Sequence, residues 1–158
     1  FKYIDYRLFF RNNIKHFEKK IVFKEKDNEE TTIPRIINNH NKVVLKIDIE
    51  GDEYKILNDI KKNSKKIFFL LIEFHNVHKN LIKIRNFIRK SDLKIIHIHA
   101  NNYGGIDKNG NPKVIELSML NSKKIKINRI LSKRKYPIID LDYKNFKRRE
   151  DIKIEFNK

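Results

Sequence analysis

The middle of the chain alternates short, nearly continuous apolar runs with segments of helical periodicity. Residues 43–50 (Val-Val-Leu-Lys-Ile-Asp-Ile-Glu) are too continuously apolar for a half-exposed strand, which predicts a strand covered on both faces. Residues 67–74 and 93–100 predict two further strands. Between them, residues 52–62 and 81–90 repeat apolar positions every three or four residues, as amphipathic helices do. Strand, helix, strand, helix, strand predicts an α/β fold with a parallel sheet.

The flanking segments predict smaller elements. Thr32 is expected to cap a short helix that runs to Ile37, because its hydroxyl can accept a hydrogen bond from the first turn. Apolar and polar residues alternate in residues 113–120, as in an edge or antiparallel strand. The other expected elements are a helix at residues 5–18, short strands at residues 21–23 and 151–156, and an extended stretch at residues 137–142.

Composition changes this picture in three respects. A length of 158 residues fits one domain over residues 1–158. The lack of cysteine excludes disulfides and thiolate metal sites, and no apolar run approaches the roughly 20 residues of a membrane span; we therefore expect a soluble, cytoplasmic protein without a transmembrane segment. The net charge of +17 would suit nucleic acid, but lysines scattered over every segment do not favour such a partner.

Polar side chains follow each of the three expected parallel strands. Because the carboxyl ends of parallel strands meet at one edge of a sheet, these side chains are expected to share a rim. Each residue alone has an ordinary structural explanation, but their joint occurrence favours a site. By spacing alone this rim could hold a divalent cation, a general base or hydroxyl-binding groups. The side chains are Asp48 and Glu50, Glu73 and His75, and His97, His99, Asn101 and Asn102.

Residues 45–54 (Leu-Lys-Ile-Asp-Ile-Glu-Gly-Asp-Glu-Tyr) resemble the KxDxEGxE segment of FkbM-type methyltransferases. Three later segments resemble the strands that follow in that family, and residues 31–33 resemble its threonine-led short helix. The later segments are residues 71–75, 97–102 and 114–118. The likeness divides the single domain into a family-like core at residues 31–120 and a C-terminal extension at residues 121–158.

The resemblance implies a partial class I methyltransferase (Rossmann-like) sheet, mostly parallel with one antiparallel strand. Residues 43–50 would be its fourth strand, and residues 113–120 would be antiparallel. It also implies S-adenosylmethionine as methyl donor and a hydroxyl on a sugar, glycan or other small metabolite as acceptor. The implied catalytic residues are Asp48, Glu50, His75 and His99, with Asp48 also near the cofactor, and the implied substrate contacts are Glu73, Asn101 and Asn102.

The chemistry leaves two points open. Asp48, His75 or His99 could take the proton from the acceptor hydroxyl, and the sequence does not choose between them. A divalent ion could do the same work by lowering the pKa of the hydroxyl, although no residue is assigned to a metal from the sequence.

One departure from the family pattern concerns glycine. Class I methyltransferases hold their cofactor with a glycine-rich turn after the first strand, whereas all four glycines of this chain lie at or after Gly51. About 40 residues precede the strand at residues 43–50, too few for three strands with crossover helices at roughly 30 residues per unit. We therefore expect a truncated chain that is inactive by itself. The alternatives are a metal-dependent nuclease or nucleic-acid-binding domain, and a degenerate, non-catalytic binding module.

Overall fold

The computed structural model describes residues 17–125 and 132–156. The helix expected at residues 5–18 therefore lies almost entirely outside the described residues. Within the described parts of the chain, no helix is long and apolar enough to cross a membrane. In chain order the elements are β1 (Lys20–Ile21), β2 (Glu30–Thr31), α1 (Ile33–Ile37), β3 (Val43–Ile47), α2 (Glu53–Lys62), a 3-10 helix (Ser64–Lys66), β4 (Ile67–Phe74), α3 (Val77–Lys90), β5 (Leu93–Ala100) and β6 (Ile115–Asn121).

The main sheet has four strands in the order β3-β4-β6-β5. β3 and β4 are parallel, and β6 is antiparallel to both of its neighbours. Three strands thus run in one direction, and the antiparallel strand expected at residues 113–120 is confirmed. It lies inside the sheet, however, and not at an edge. β1 and β2 form a separate parallel pair, of which only the first strand was expected, near residues 21–23.

Helices α2 and α3 cover one face of the main sheet. Ile56 and Ile60 of α2 and Phe87 of α3 join one core cluster with Leu70 and Phe74 of β4. Each fully buried side chain of this size contributes roughly 1.5–3 kcal/mol. The helical periodicity at residues 52–62 and 81–90 correctly predicted these two elements. Helix α1 begins as expected, since the Thr32 hydroxyl accepts a hydrogen bond from the Arg35 N–H at 3.4 Å.

The opposite face of the sheet is polar and only half-covered. Strand pairing places Lys46 beside Leu71, Leu71 beside Ser118, and Ser118 beside His97. The expectation that β3 is covered on both faces is wrong, because exposed and less exposed residues alternate along the strand and Val44 is 65 % exposed. An apolar run reports the hydrophobicity of a segment but not whether a neighbour lies over it.

Three further expectations need correction. The strand expected at residues 43–50 ends at Ile47, because Glu50 and Gly51 adopt φ values of 53° and 106° and turn the chain. Residues 137–142 form turns, with the Ile138 carbonyl accepting from the Leu141 and Asp142 N–H groups. Residues 151–156 form no strand, and Ile154 makes only an isolated bridge to Tyr136. Local hydrogen bonds take the place of the sheet pairing that the sequence pattern suggested.

The close approach of Gly104 to Val114 gives a first prediction. A Cβ atom on Gly104 would lie 2.4 Å from Cγ2 and 2.9 Å from Cβ of Val114, which is itself buried. We expect Gly104→Ala to lower the free energy of unfolding by about 1–3 kcal/mol through overpacking. Val114→Ala in the same chain removes Cγ2, the closer of the two clashing atoms, and should recover part of this loss. Urea unfolding of both single variants and the double variant measures the coupling; simple additivity would contradict the prediction.

Candidate functional site

The ends of β3 and β4 bring three polar side chains together. Asp48, Glu73 and His75 each present one side-chain atom within 4.8 Å of the others. Ile47 pairs with Ile72, so that Asp48 and Glu73 follow side by side. Because Ile72 is buried on the helix side of β4, Glu73 points to the polar face. The sequence-based expectation that these strand ends share a rim therefore holds for these three residues.

His75 is held by a carboxylate from the first turn of α2. Its Nδ1 lies 2.8 Å from Oε1 of Glu53, a residue with no solvent exposure. The same oxygen accepts the Gly51 N–H at 3.0 Å, which ties the turn after β3 to the imidazole. The Nε2 of His75 lies 3.4 Å from Oε2 of Glu50 and 3.6 Å from Oε1 of Glu73. A proton on Nδ1, donated to Glu53, leaves the Nε2 lone pair toward these carboxylates.

Glu73 stands in a negative environment. Burial raises the pKa of the Glu73 carboxyl, and the charge of Asp48 raises it further. Glu116, directly opposite on β6, adds to the effect. The side-chain amide of Asn101 opposes it by donating to Oε1 of Glu73 at 2.9 Å. Asn101 thus lies at the rim, as expected, and its contact there is with the carboxylate of Glu73.

His99 lies on the same face, but its hydrogen-bond partner is Glu116 and not one of the three rim residues. Its Nδ1 is 3.1 Å from Oε2 of Glu116. This contact raises the pKa of His99 against the opposing effect of burial, and it lowers the pKa of Glu116. Asn145 donates to the other oxygen of Glu116 at 3.0 Å. The Nε2 of His99 is buried and has no partner within the described residues.

The His99–Glu116 pair predicts a pH-dependent stability. The pKa of His99 is raised above 6.5, so its contribution is complete below 6.5 and is lost as the pH rises through the folded-state value. The pKa of Glu116 is lowered below 4.5, so its contribution is complete above 4.5 and is lost as the pH falls. We expect the pair to stabilise most between these pH values. We expect the difference in urea midpoint between wild type and His99→Gln to become smaller as the pH rises above 6.5. A difference that does not change with pH would contradict this.

Two predicted residues anchor the C-terminal segment. Nε2 of His97 lies 2.7 Å from Oδ1 of Asp142, whose other oxygen accepts the Ile138 N–H at 2.7 Å. The buried Asn102 donates to the carbonyls of Phe146 and Arg149, both at 3.1 Å. Its Oδ1 accepts the Phe146 N–H at 2.8 Å. The structure therefore directs Asn102 toward the C-terminal segment and away from the rim.

A cleft of about 190 Å³ opens on the polar face. It is smaller than the roughly 300–1,000 Å³ of most small-molecule sites. Asp48, Glu73 and His99 line it, whereas Glu50, His75, Asn101 and Asn102 do not. The full lining is Lys46, Ile47, Asp48, Leu71, Ile72, Glu73, His97, His99, Glu116, Leu117, Ser118 and Asp142.

Three acidic residues at the site were not predicted from the sequence. Glu53 stands in the motif of residues 45–54 but has the position of an exposed residue in the first turn of a helix. Glu116 has the pattern of a solvent-facing residue on an alternating strand. Asp142 is 45 positions from its partner His97. Only the second glutamate of the motif, Glu53, carried a signal in the sequence.

The family model of the methyltransferase FkbM domain matches residues 5–103, which is more than half of the chain. The chain belongs to the FkbM methyltransferase family. The matched region contains Asp48, Glu73 and His75 and ends before β6. Searches of curated proteins and of solved structures gave no match. This FkbM-family chain is thus a mixed α/β protein whose family membership confirms the resemblance seen in residues 45–54.

Proposed function

We propose that this chain carries the acceptor side of an S-adenosylmethionine-dependent methyltransferase that acts on a hydroxyl group of a sugar or another small metabolite. Membership of the FkbM family supports methyl transfer. The observation that carries the proposal for the site is the convergence of Asp48, Glu73 and His75 where β3 and β4 end. All three come from the family-like segments, and Asp48 and Glu73 line the cleft on the open side of the sheet.

The architecture supports a class I relationship. We propose that β3, β4, β6 and β5 correspond to one half of a class I sheet. The antiparallel β6 between two strands that run the other way supports this assignment.

We also propose one domain, with residues 31–120 as its core. The hydrogen bonds of Asn102 and His97 to residues 142–149 support a C-terminal extension that packs on this core.

The described residues do not fit the whole of S-adenosylmethionine. When bound, this cofactor supplies a methyl group on a positively charged sulfur. The cleft of about 190 Å³ is small for a nucleoside joined to an amino acid. The chain also has no glycine before Gly51 to form a glycine-rich turn ahead of β3. Only Asp48 remains as a candidate cofactor contact, so we expect the 158-residue chain by itself not to bind S-adenosylmethionine.

The rim has groups suited to the acceptor. A hydroxyl that gains a methyl group must lose its proton, and a side chain within hydrogen-bond reach can take it. Asp48 is exposed, and His75 is oriented by Glu53 as a general base is oriented by a third group. His99 is less accessible, because its Nε2 is buried. Among the three bases considered, exposure favours Asp48, and the orienting contact with Glu53 favours His75.

The charge of the rim favours a neutral acceptor over nucleic acid. Asp48, Glu73 and Glu116 face one cleft, and Glu50 lies beside His75. Carboxylates repel phosphate, whereas they accept hydrogen bonds from sugar hydroxyls. Lys46 lines the same cleft, but the carboxylates there outnumber it, so the local charge is negative despite the excess of lysine over the whole chain. We therefore propose a small-molecule or glycan acceptor.

Calorimetric titration with S-adenosylmethionine tests the proposed function. The 158-residue chain and the product of the complete reading frame are titrated side by side. We expect no binding by the 158-residue chain, and binding by the complete product where it extends the chain ahead of β3 with a glycine-rich turn. Transfer of a tritiated methyl group to a panel of sugars and small hydroxyl compounds then identifies the acceptor. If the complete product does not bind S-adenosylmethionine, the proposal is wrong.

A further inference from the structure

We propose that Asp48, Glu73 and His75 form a binding site for a divalent metal ion, with Glu53 as the residue that orients His75. One oxygen or nitrogen atom of each of the three side chains lies within 4.8 Å of the others. Two ligands that are each about 2.1 Å from an ion are at most about 4.2 Å apart. Asp48 is exposed and free to rotate over the remaining distance, so the three side chains can close around one ion.

A second observation concerns buried polar atoms beside the cluster. Oε2 of Glu53 is buried and has no hydrogen-bond partner in the described residues, although Glu53 is fully buried against His75. Nε2 of His99 is likewise buried and unpartnered, and His99 lines the cleft that Asp48 and Glu73 also line. Buried polar atoms without partners are rare in proteins and call for an explanation such as an ion.

The charges of the side chains around His75 also favour a cation. Four carboxylates surround His75, those of Asp48, Glu50, Glu53 and Glu73. Within residues 17–125 and 132–156, no lysine or arginine forms an ion pair with any of them. His75 can contribute at most one positive charge. Lys46 lines the cleft beside Asp48 and Glu73 but forms no ion pair with them, so the carboxylates outnumber the cationic side chains here and this local negative charge fits a cation.

The contact between Glu53 and His75 is of a kind that metal-binding histidines commonly make. Metal-binding histidines commonly donate their second ring N–H to a carboxylate, which fixes the tautomer and the ring orientation. Here Nδ1 of His75 contacts Oε1 of Glu53 at 2.8 Å, and the Gly51 N–H binds the same oxygen. Nε2 is thereby left facing Glu50 and Glu73 at 3.4 and 3.6 Å. Asn101 fixes Glu73 in the same way.

The donor set indicates the class of metal. Two carboxylates and one imidazole form a mixed oxygen and nitrogen site, which suits Mn²⁺, Fe²⁺, Co²⁺ or Zn²⁺ better than the all-oxygen preference of Mg²⁺. Exposure of Asp48 provides an entry path. Metal binding can be measured without S-adenosylmethionine and without an acceptor. The test of this site is therefore independent of the proposed methyl transfer.

Titration of the 158-residue chain with Mn²⁺ alone tests the site, with the loss of the free-ion signal in electron paramagnetic resonance as the readout. We expect one ion per chain. Asp48→Asn and His75→Gln should weaken binding at least 100-fold, and Glu53→Gln should weaken it about 10–100-fold. The matched controls are Glu29→Gln and His40→Gln, both at exposed positions, and we expect both to bind as wild type does.

A second measurement separates binding from folding. Saturating Mn²⁺ should raise the melting temperature of wild type and of both controls, because the ion binds the folded state. It should leave the melting temperature of Asp48→Asn unchanged; Asp48 is exposed, so this variant is expected to fold. The proposal is wrong if wild type binds no Mn²⁺, or if Asp48→Asn and His75→Gln bind it with wild-type affinity. Neither result bears on the binding of S-adenosylmethionine by the complete product.

Discussion

Glu53→Ala is expected to lower the free energy of unfolding by about 2–4 kcal/mol, although Glu53 lies in the first turn of a helix where most side chains are exposed. Glu53 has no solvent exposure. Its Oε1 accepts the Gly51 N–H at 3.0 Å and contacts Nδ1 of His75 at 2.8 Å. Alanine would leave both groups part-buried without an acceptor, and an unsatisfied buried donor costs about 1–3 kcal/mol.

Chemical unfolding of three variants measures this effect. Glu53→Gln keeps a side-chain oxygen at the same position, so its loss of stability should be smaller than that of Glu53→Ala. Glu29→Ala is the matched control at an exposed position and should change the free energy of unfolding by less than about 0.5 kcal/mol. If Glu53→Ala is as stable as Glu29→Ala, then Glu53 does not support the turn after β3.

Two strands of the main sheet were predicted correctly from the sequence pattern. Residues 67–74 and 93–100 became β4 and β5 with the same bounds. β3 is shorter than predicted because the positive φ of Glu50 ends it, and a glutamate gives no sequence signal for that conformation. Only Gly51 marks the turn, one residue later. The apolar pattern therefore identified the segment, but local backbone geometry decided where it ends.

The rim was predictable in part because it depends on strand direction. Once β3 and β4 are parallel, Asp48 and Glu73 must follow side by side. The partners of the histidines were not predictable, since they depend on how distant segments pack. Glu116 reaches His99 from an inserted antiparallel strand, and Asp142 reaches His97 from a turn that the sequence suggested was extended. Single-sequence patterns carry no information on such tertiary contacts.

If the proposed function holds, His75→Gln should lower the rate of methyl transfer about 10²–10⁴-fold in the form of the protein that binds S-adenosylmethionine. A positioned general base contributes an acceleration of that size, and a metal ligand at the same place would contribute a comparable effect by lowering the pKa of the hydroxyl. The geometry allows both, because Glu53 fixes Nδ1 and leaves Nε2 toward the rim. The measurement is transfer of a tritiated methyl group under saturating S-adenosylmethionine, with His78→Gln on the exposed side of α3 as matched control.

Two further readouts decide which role His75 has. If it is the general base, the acidic limb of the pH–rate profile should disappear in His75→Gln, and a metal chelator should not affect wild type. If it is a metal ligand, the chelator should abolish wild-type activity, and excess Mn²⁺ should restore part of the activity of His75→Gln by occupying the weakened site. Retention of wild-type activity by His75→Gln would exclude both roles. The chemistry would then have to lie with Asp48, which is exposed and lines the cleft.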